Sequence, residues 1–183
     1  MSPSPGPRLR FAFIRRTTIV VLLLMHGLVS AQDVTEPALK AAFIYNFTKF
    51  TEWPADVVPA AEPFILCVFG DPAVGAELER AVKSRLVVGH SLTVFYMEPG
   101  APERVCHVLY VSRVTAGQAS QLVARLRNVP VLTISDIEGF TKMGGIAQFF
   151  FEQGRLRFSV QLESATRARL KISSRLLALA KQQ

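Results

Sequence analysis

Reactive side chains are scarce in this chain. Its 183 residues include two cysteines, three histidines and one tryptophan. There is no CxxC or HxxxH spacing, and Cys67, Cys106, His90 and His107 alone do not make a tetrahedral zinc set. No Gly-x-Ser-x-Gly elbow occurs. Neither His90 nor His107 has a sequence neighbour that would complete a triad, and His107 falls in an apolar strand, where a core histidine is the ordinary reading. Acids are plentiful, but periodicity brings no two of them into one cleft, so hydrolase chemistry has little support. "GDPAVG" at 70–75 sits where phosphate loops sit. It lacks the Lys-Ser/Thr pair of a P-loop and the spacing of a dinucleotide fingerprint, and reads as a plain β–α turn. A phosphorylation receiver also fails, because Arg113 stands where an acceptor after the third strand is wanted. No cofactor and no metal are expected.

What is present begins with a leader. Arg8, Arg10, Arg15 and Arg16 form a basic region, Thr18 to Leu28 is almost wholly apolar, and Val29-Ser30-Ala31 supplies small residues. The pattern predicts a signal peptide over 1–31, cleaved after Ala31, and a single exported domain over 32–183. The apolar run is about a dozen residues, short of the roughly twenty that span a bilayer. Without the leader the formal charge falls from +7 to +3. That small excess gives no basic footprint, so nucleic-acid binding is not expected. Two cysteines in an oxidising compartment point to a disulfide, the alternative being two buried thiols.

Along the mature chain, Thr35 and Pro37 open a helix whose apolar face is Leu39, Phe43, Phe47 and Phe50, with Lys40 and Lys49 on the other side. Pro54 ends it, since the residue before a proline is pushed towards extended backbone. Strands are predicted at 64–70, 92–97, 106–112 and 129–136, alternating with helices at 73–84 and 116–128. A hairpin follows around Glu152-Gln153-Gly154, and a last helix runs from Glu163. This is α/β order: a three-layer α/β/α sandwich with a largely parallel sheet and a C-terminal antiparallel hairpin. In the common strand order 2-1-3-4, Cys67 and Cys106 would lie on adjacent strands, which favours the bond. The strand ends place Asp71, Arg113, Ser135 and Asp136 on a rim suited to a small polar or zwitterionic ligand. The plainer reading is that Asp71, Ser135 and Asp136 cap turns and the segments that follow. On the last helix Arg167, Lys171 and Arg175 fall at i, i+4 and i+8, a basic stripe that is either a solvated face or a surface for anionic lipid or an acidic partner.

"ALKAAFIYNFTKFTEWP" from Ala38 closely resembles the opening signature of the YfiR family, through Tyr45, Asn46, Phe47, Lys49, Phe50, Glu52, Trp53 and Pro54. The resemblance continues through "CVFGD", "CHVLYVS" and the stretch from Val131 to Lys181, where "RLKISSRLL" (169–177) is the second specific block. It implies an α/β sandwich and a periplasmic, non-catalytic regulator. Such a protein binds the periplasmic domain of a membrane diguanylate cyclase and represses it, lowering cyclic di-GMP and biofilm formation. An outer-membrane lipoprotein relieves the repression, and family members tend to dimerise. Some relatives carry a second cysteine pair that is missing here. The competing expectation is a small-ligand sensor module serving an outer-membrane receptor or a sensor kinase.

Overall fold

The computed structural model describes residues 34–59, 62–98 and 106–181. The expected leader and its cleavage site lie outside these residues. Thr35 caps α1 (Glu36–Lys49), its hydroxyl accepting from the Ala38 amide while Pro37 occupies the first turn. After α1 come β1 (Thr51–Glu52), β2 (Phe64–Phe69), α2 (Pro72–Val82), β3 (Leu86–Val87), β4 (His90–Tyr96) and β5 (Val108–Val111). The chain continues as α3 (Ala116–Leu126), β6 (Leu132–Ser135), β7 (Ala147–Glu152), β8 (Arg155–Val160), α4 (Leu162–Arg167), β9 (Lys171–Ile172) and α5 (Ser174–Leu177).

Seven strands form one sheet in the order β3-β4-β2-β5-β6-β7-β8, and β1 pairs with β9 in a separate two-stranded ladder. The four central strands β4-β2-β5-β6 are parallel neighbours. Both edges close with antiparallel pairs, β3 on β4 and β8 on β7. The expectation of a largely parallel sheet is therefore corrected to a mixed one. Two tight turns cause the reversals. Val88-Gly89 (φ 50° and 82°) joins β3 to β4, and Gln153-Gly154 (φ 51° and 73°) joins β7 to β8. Both have the two left-handed residues of a hairpin turn whose twist suits the strands.

The three-layer expectation also needs correcting, because the layers are unequal. On one face α1 (Ala41, Ile44, Phe47) and α2 (Val74, Leu78, Val82) pack with Leu66, Val68, Tyr110, Ile134, Phe149 and Phe158. On the other, α3 contributes Leu122 and Leu126 against Cys67, Leu109 and Val111. Phe47 is fully buried, its ring edge-on to Phe158 at 4.9 Å and to Phe149 at 5.8 Å. Cys67 and Cys106 are bonded, with Cα atoms 5.7 Å apart. Cys106 lies just before β5, diagonal to Cys67 rather than opposite it, since Cys67 registers with Leu109. Closing 39 residues of chain, the bond contributes roughly 4 kcal/mol on the chain-entropy account.

The predicted last helix is broken into α4, β9 and α5. Arg169 adopts φ 57° just after α4, its amide bonds the Thr166 carbonyl, and the Leu170 amide bonds that of Ala165. This is a Schellman end with arginine where glycine is usual. The chain then runs extended through β9, and Ser173 caps α5 by accepting from the Leu176 amide. Arg167, Lys171 and Arg175 thus occupy three different elements, and the i, i+4, i+8 stripe does not form.

Candidate functional site

At the end of the sheet where the central strands finish, the expected rim residues fall into two groups. Gly70 sits at φ 86° and so close to the neighbouring strand that a Cβ would lie 1.9 Å from the Ser112 carbonyl oxygen, so only glycine fits. This lets Asp71 turn back to cap α2 through the Ala73 and Val74 amides. Asp71 is buried and meets Arg113 at 3.3 Å. Its carboxylate occupies the helix N-terminus where an anion would otherwise sit, so this loop is closed to phosphate. The Ser135 hydroxyl accepts from the Ile137 amide, an ordinary turn. Asp71 and Ser135 therefore follow the capping reading, and Arg113 serves as the partner of Asp71.

Asp136 is different. It accepts from Lys40 Nζ at 2.6 Å and from the Tyr110 hydroxyl at 3.0 Å, and Lys40 also pairs with Glu36. Lys40 is only 5% exposed, so the sequence expectation that it belongs to the solvent side of α1 is corrected. Burial works against both charges. The hydrogen bonds to Asp136 and Glu36 overcome it and raise the Lys40 pKa above its ordinary 10.5. Likewise Lys40, Ser112 and Tyr110 pull the Asp136 carboxyl below its ordinary 3.8 despite desolvation. Burial, then the Asp136 charge, pushes the Tyr110 hydroxyl far up, so it stays a neutral donor. The network borders a cavity of about 490 Å³ walled by Phe149, Phe150 and Leu156. Its polar atoms are already paired, and it ties the first turns of α1 to the sheet. Sequence gave no sign of this: a lysine four residues after a glutamate reads as a solvated helical pair.

At the opposite end lies the aromatic corner. Thr51 and Glu52 pair with Ile172 and Lys171, so the two specific sequence blocks form one ladder. The Ser173 amide bonds the Phe50 carbonyl at 2.9 Å, and the Arg169 guanidinium grips Asp56 at 3.2 Å. Trp53 donates its indole N–H to the Pro130 carbonyl at 3.1 Å and lies edge-on to Phe64, which stacks on His107. Burial lowers the His107 pKa, and the ring is a core group. Tyr45 is buried beneath two cations, Lys49 and Arg85, 5.5 and 4.9 Å from its ring centre. Among the family-motif residues, then, Tyr45 and Phe47 are buried, and Trp53 is held by Pro130 and Phe64.

Asn46 and Phe50 reach the surface. With Phe43, Arg175 and Leu179 they line a groove of about 240 Å³ beside α5. Leu179 is 69% exposed. Lys171 and Arg175 are exposed, whereas Arg167 is engaged by Glu163 and Ser164. No group of three or more His, Cys, Asp or Glu side chains suited to a metal ion occurs among the described residues. Nor is any described helix long and apolar enough to cross a membrane.

No curated protein matches the chain. A family model described as YfiR/HmsC-like matches residues 37–181, from the first turn of α1 to the residues after α5. With both sequence blocks inside that span and joined by the β1–β9 ladder, the chain belongs to the YfiR/HmsC-like family.

Proposed function

We propose that the protein is an exported, non-catalytic regulator that binds the periplasmic domain of a membrane diguanylate cyclase and holds it inactive, lowering cyclic di-GMP and biofilm formation. The observation that carries this reading is family membership across residues 37–181. The leader is cleaved after Ala31, the mature protein is a homodimer, and an outer-membrane lipoprotein competes for it. The groove beside α5 supports a docking role. It pairs an exposed apolar residue, Leu179, with the exposed cation Arg175, and Lys171 is exposed on β9, just before α5.

The test is association of the purified protein with the cyclase domain. Charges at a rim set association rate and salt dependence. Lys171→Glu with Arg175→Glu should slow association, most at low salt where screening is weak, at unchanged melting temperature. Wild-type protein that neither binds the domain nor lowers cyclic di-GMP when co-expressed with the cyclase overturns the reading. A second reading, a small-ligand sensor serving an outer-membrane receptor or sensor kinase, would use the cavity beside Asp136 and requires a ligand to displace one of the contacts that Asp136 already makes. It predicts a raised melting temperature with a small polar ligand, and loss of that rise in Asp136→Asn.

A further inference from the structure

The two edges of the seven-stranded sheet are finished differently. At one, β8 exposes Arg155 and Arg157, and the chain returns after α5 so that the Lys181 amide bonds the Phe158 carbonyl at 2.8 Å. Charged side chains and a covering segment are common means of keeping an edge from pairing with another chain. At the other edge, β3 covers only the first two residues of β4, His90 and Ser91. From Leu92 to Tyr96, no strand of the described residues pairs with the outer side of β4. The stretch Leu-Thr-Val-Phe-Tyr has no charge and no proline, and its register with β2 runs without a bulge. None of the devices that blunt an edge within a strand is present.

The outward backbone groups can be assigned. Val87 and His90 face each other across the Val88-Gly89 turn, so the His90 N–H and C=O point outward to β3. The Met97 amide points the other way, to the Val68 carbonyl at 2.9 Å. Backbone groups alternate sides along a strand, so those of Leu92, Val94 and Tyr96 face outward, and those of Thr93 and Phe95 face β2. Side chains alternate between the faces of the sheet. Leu92 and Val94 pack into the core that α2 covers, whereas Thr93 and Phe95 emerge on the opposite face, where Phe95 is 47% exposed. With Leu86, Val88 and Tyr96, this edge gathers four of the eight large hydrophobic side chains exposed among the described residues. An apolar, uncharged strand with free backbone groups is a template for another strand.

We propose that a second copy of this chain pairs here, β4 against β4, antiparallel about a two-fold axis at Val94, so that the two sheets become one. In this register Val94 exchanges both backbone bonds with its own counterpart, and Leu92 does so with the partner's Tyr96, so every outward group of the stretch is satisfied. Thr93 and the partner's Phe95 become close neighbours on the open face, a β-branched and aromatic pair of the favourable kind. β4 ends at Tyr96, opposite the partner's Leu92, and the partner's β3 covers the next position, Ser91. The free stretch is therefore as long as the strand that fills it. A second copy fits better than a foreign strand. The stretch carries no charge for a partner's charge to recognise, and against its own copy it meets no like charge across the ladder. A two-fold pairing is also closed, so it uses up the edge instead of propagating it. The proposal gives a surface to the homodimer of the proposed function and rests on that reading; the cyclase does not enter it.

The mature protein, residues 32–183, is followed by sedimentation equilibrium up to on the order of 100 µM. The parent should dimerise. Thr93→Lys, which puts on this edge the kind of charge that β8 already carries, should weaken the dimer about tenfold or more at unchanged melting temperature, and Thr93→Val should behave like the parent. Amide exchange followed by NMR reads the register in the parent itself. The Leu92, Val94 and Tyr96 amides should slow as protein concentration rises, while the Phe95 and Met97 amides, which face β2, stay protected at every concentration. A parent that stays monomeric overturns the edge pairing together with the homodimer. A dimer equally tight in folded Thr93→Lys, or one whose Leu92, Val94 and Tyr96 amides exchange fast, overturns the edge pairing alone.

Discussion

At the end of the sheet where β2, β5 and β6 finish, Asp71, Ser135 and Asp136 all have partners. Asp71 holds α2 and Arg113, Asp136 holds Lys40 and Tyr110, and Ser135 closes its own turn. At the end where β2 and β4 begin, the buried Thr51 hydroxyl has no partner and Lys49 no carboxylate among the described residues, and a strained valine, Val88, faces solvent. Open α/β sheets usually carry ligands beyond the carboxyl ends of their strands. Here that end has been converted into structure, and the unfinished chemistry lies at the other. Polar groups that fully satisfy one another stabilise a fold; those left over are what a ligand can use.

The sharpest way to break this comparison is to remove a partner at the satisfied end. Lys40→Met leaves the Asp136 carboxylate largely buried without its cation and should cost about 3 kcal/mol in urea unfolding. An unchanged midpoint would mean that the network is not structural. The same network sets the pH limits. Asp136 has a lowered folded pKa, so its contribution is present above about pH 4 and is lost as pH falls through the lowered value. Lys40 has a raised folded pKa, so its contribution is present below about pH 10.5 and is lost as pH rises through the raised value. Stability against pH should therefore fall at both extremes in the parent, and both falls should shrink in Lys40→Met.

A smaller effect is expected for Arg113→Gln. The arginine is largely exposed, so its pair with Asp71 is screened, and the loss should stay within about 1 kcal/mol while the Asp71 cap persists. The smallest effect belongs to the unsatisfied end. Thr51→Val replaces a hydroxyl that has no partner with a methyl of similar size, and should change stability by less than about 0.5 kcal/mol, if anything upward. A clear destabilisation by Thr51→Val would show that the hydroxyl works within the fold and would erase the contrast between the two ends.

The parallel core was legible from the run of apolar strands, and the order β4-β2-β5-β6 follows from it. The Gln153-Gly154 turn was legible because glycine marks positive φ. The Val88-Gly89 turn has a valine at its first position, which masks it in sequence, and the break after α4 is masked by an arginine in the glycine's place. Lys40 departs from its helical spacing for a different reason. Helical spacing tells which residues share a side, but α1 is covered on more than one side, by α2 and by the sheet, so the spacing of its phenylalanines understated its burial. Of the rim, Asp71 and Ser135 behave as turn residues, as their types suggest. The Asp136–Lys40 contact spans 96 residues and has no local signature.

The β1–β9 ladder has a consequence for the order of assembly. It joins Thr51 to Ile172, so the aromatic corner cannot close until nearly the whole chain is present. Contacts of such sequence separation form late, because the loop between them must first be ordered. A growing chain can assemble its central strands and still leave Trp53 without the β9 strand beside it. The emission of that tryptophan during refolding should therefore reach its native value after the sheet has formed, and a chain truncated before Lys171 should collapse without ever reaching it.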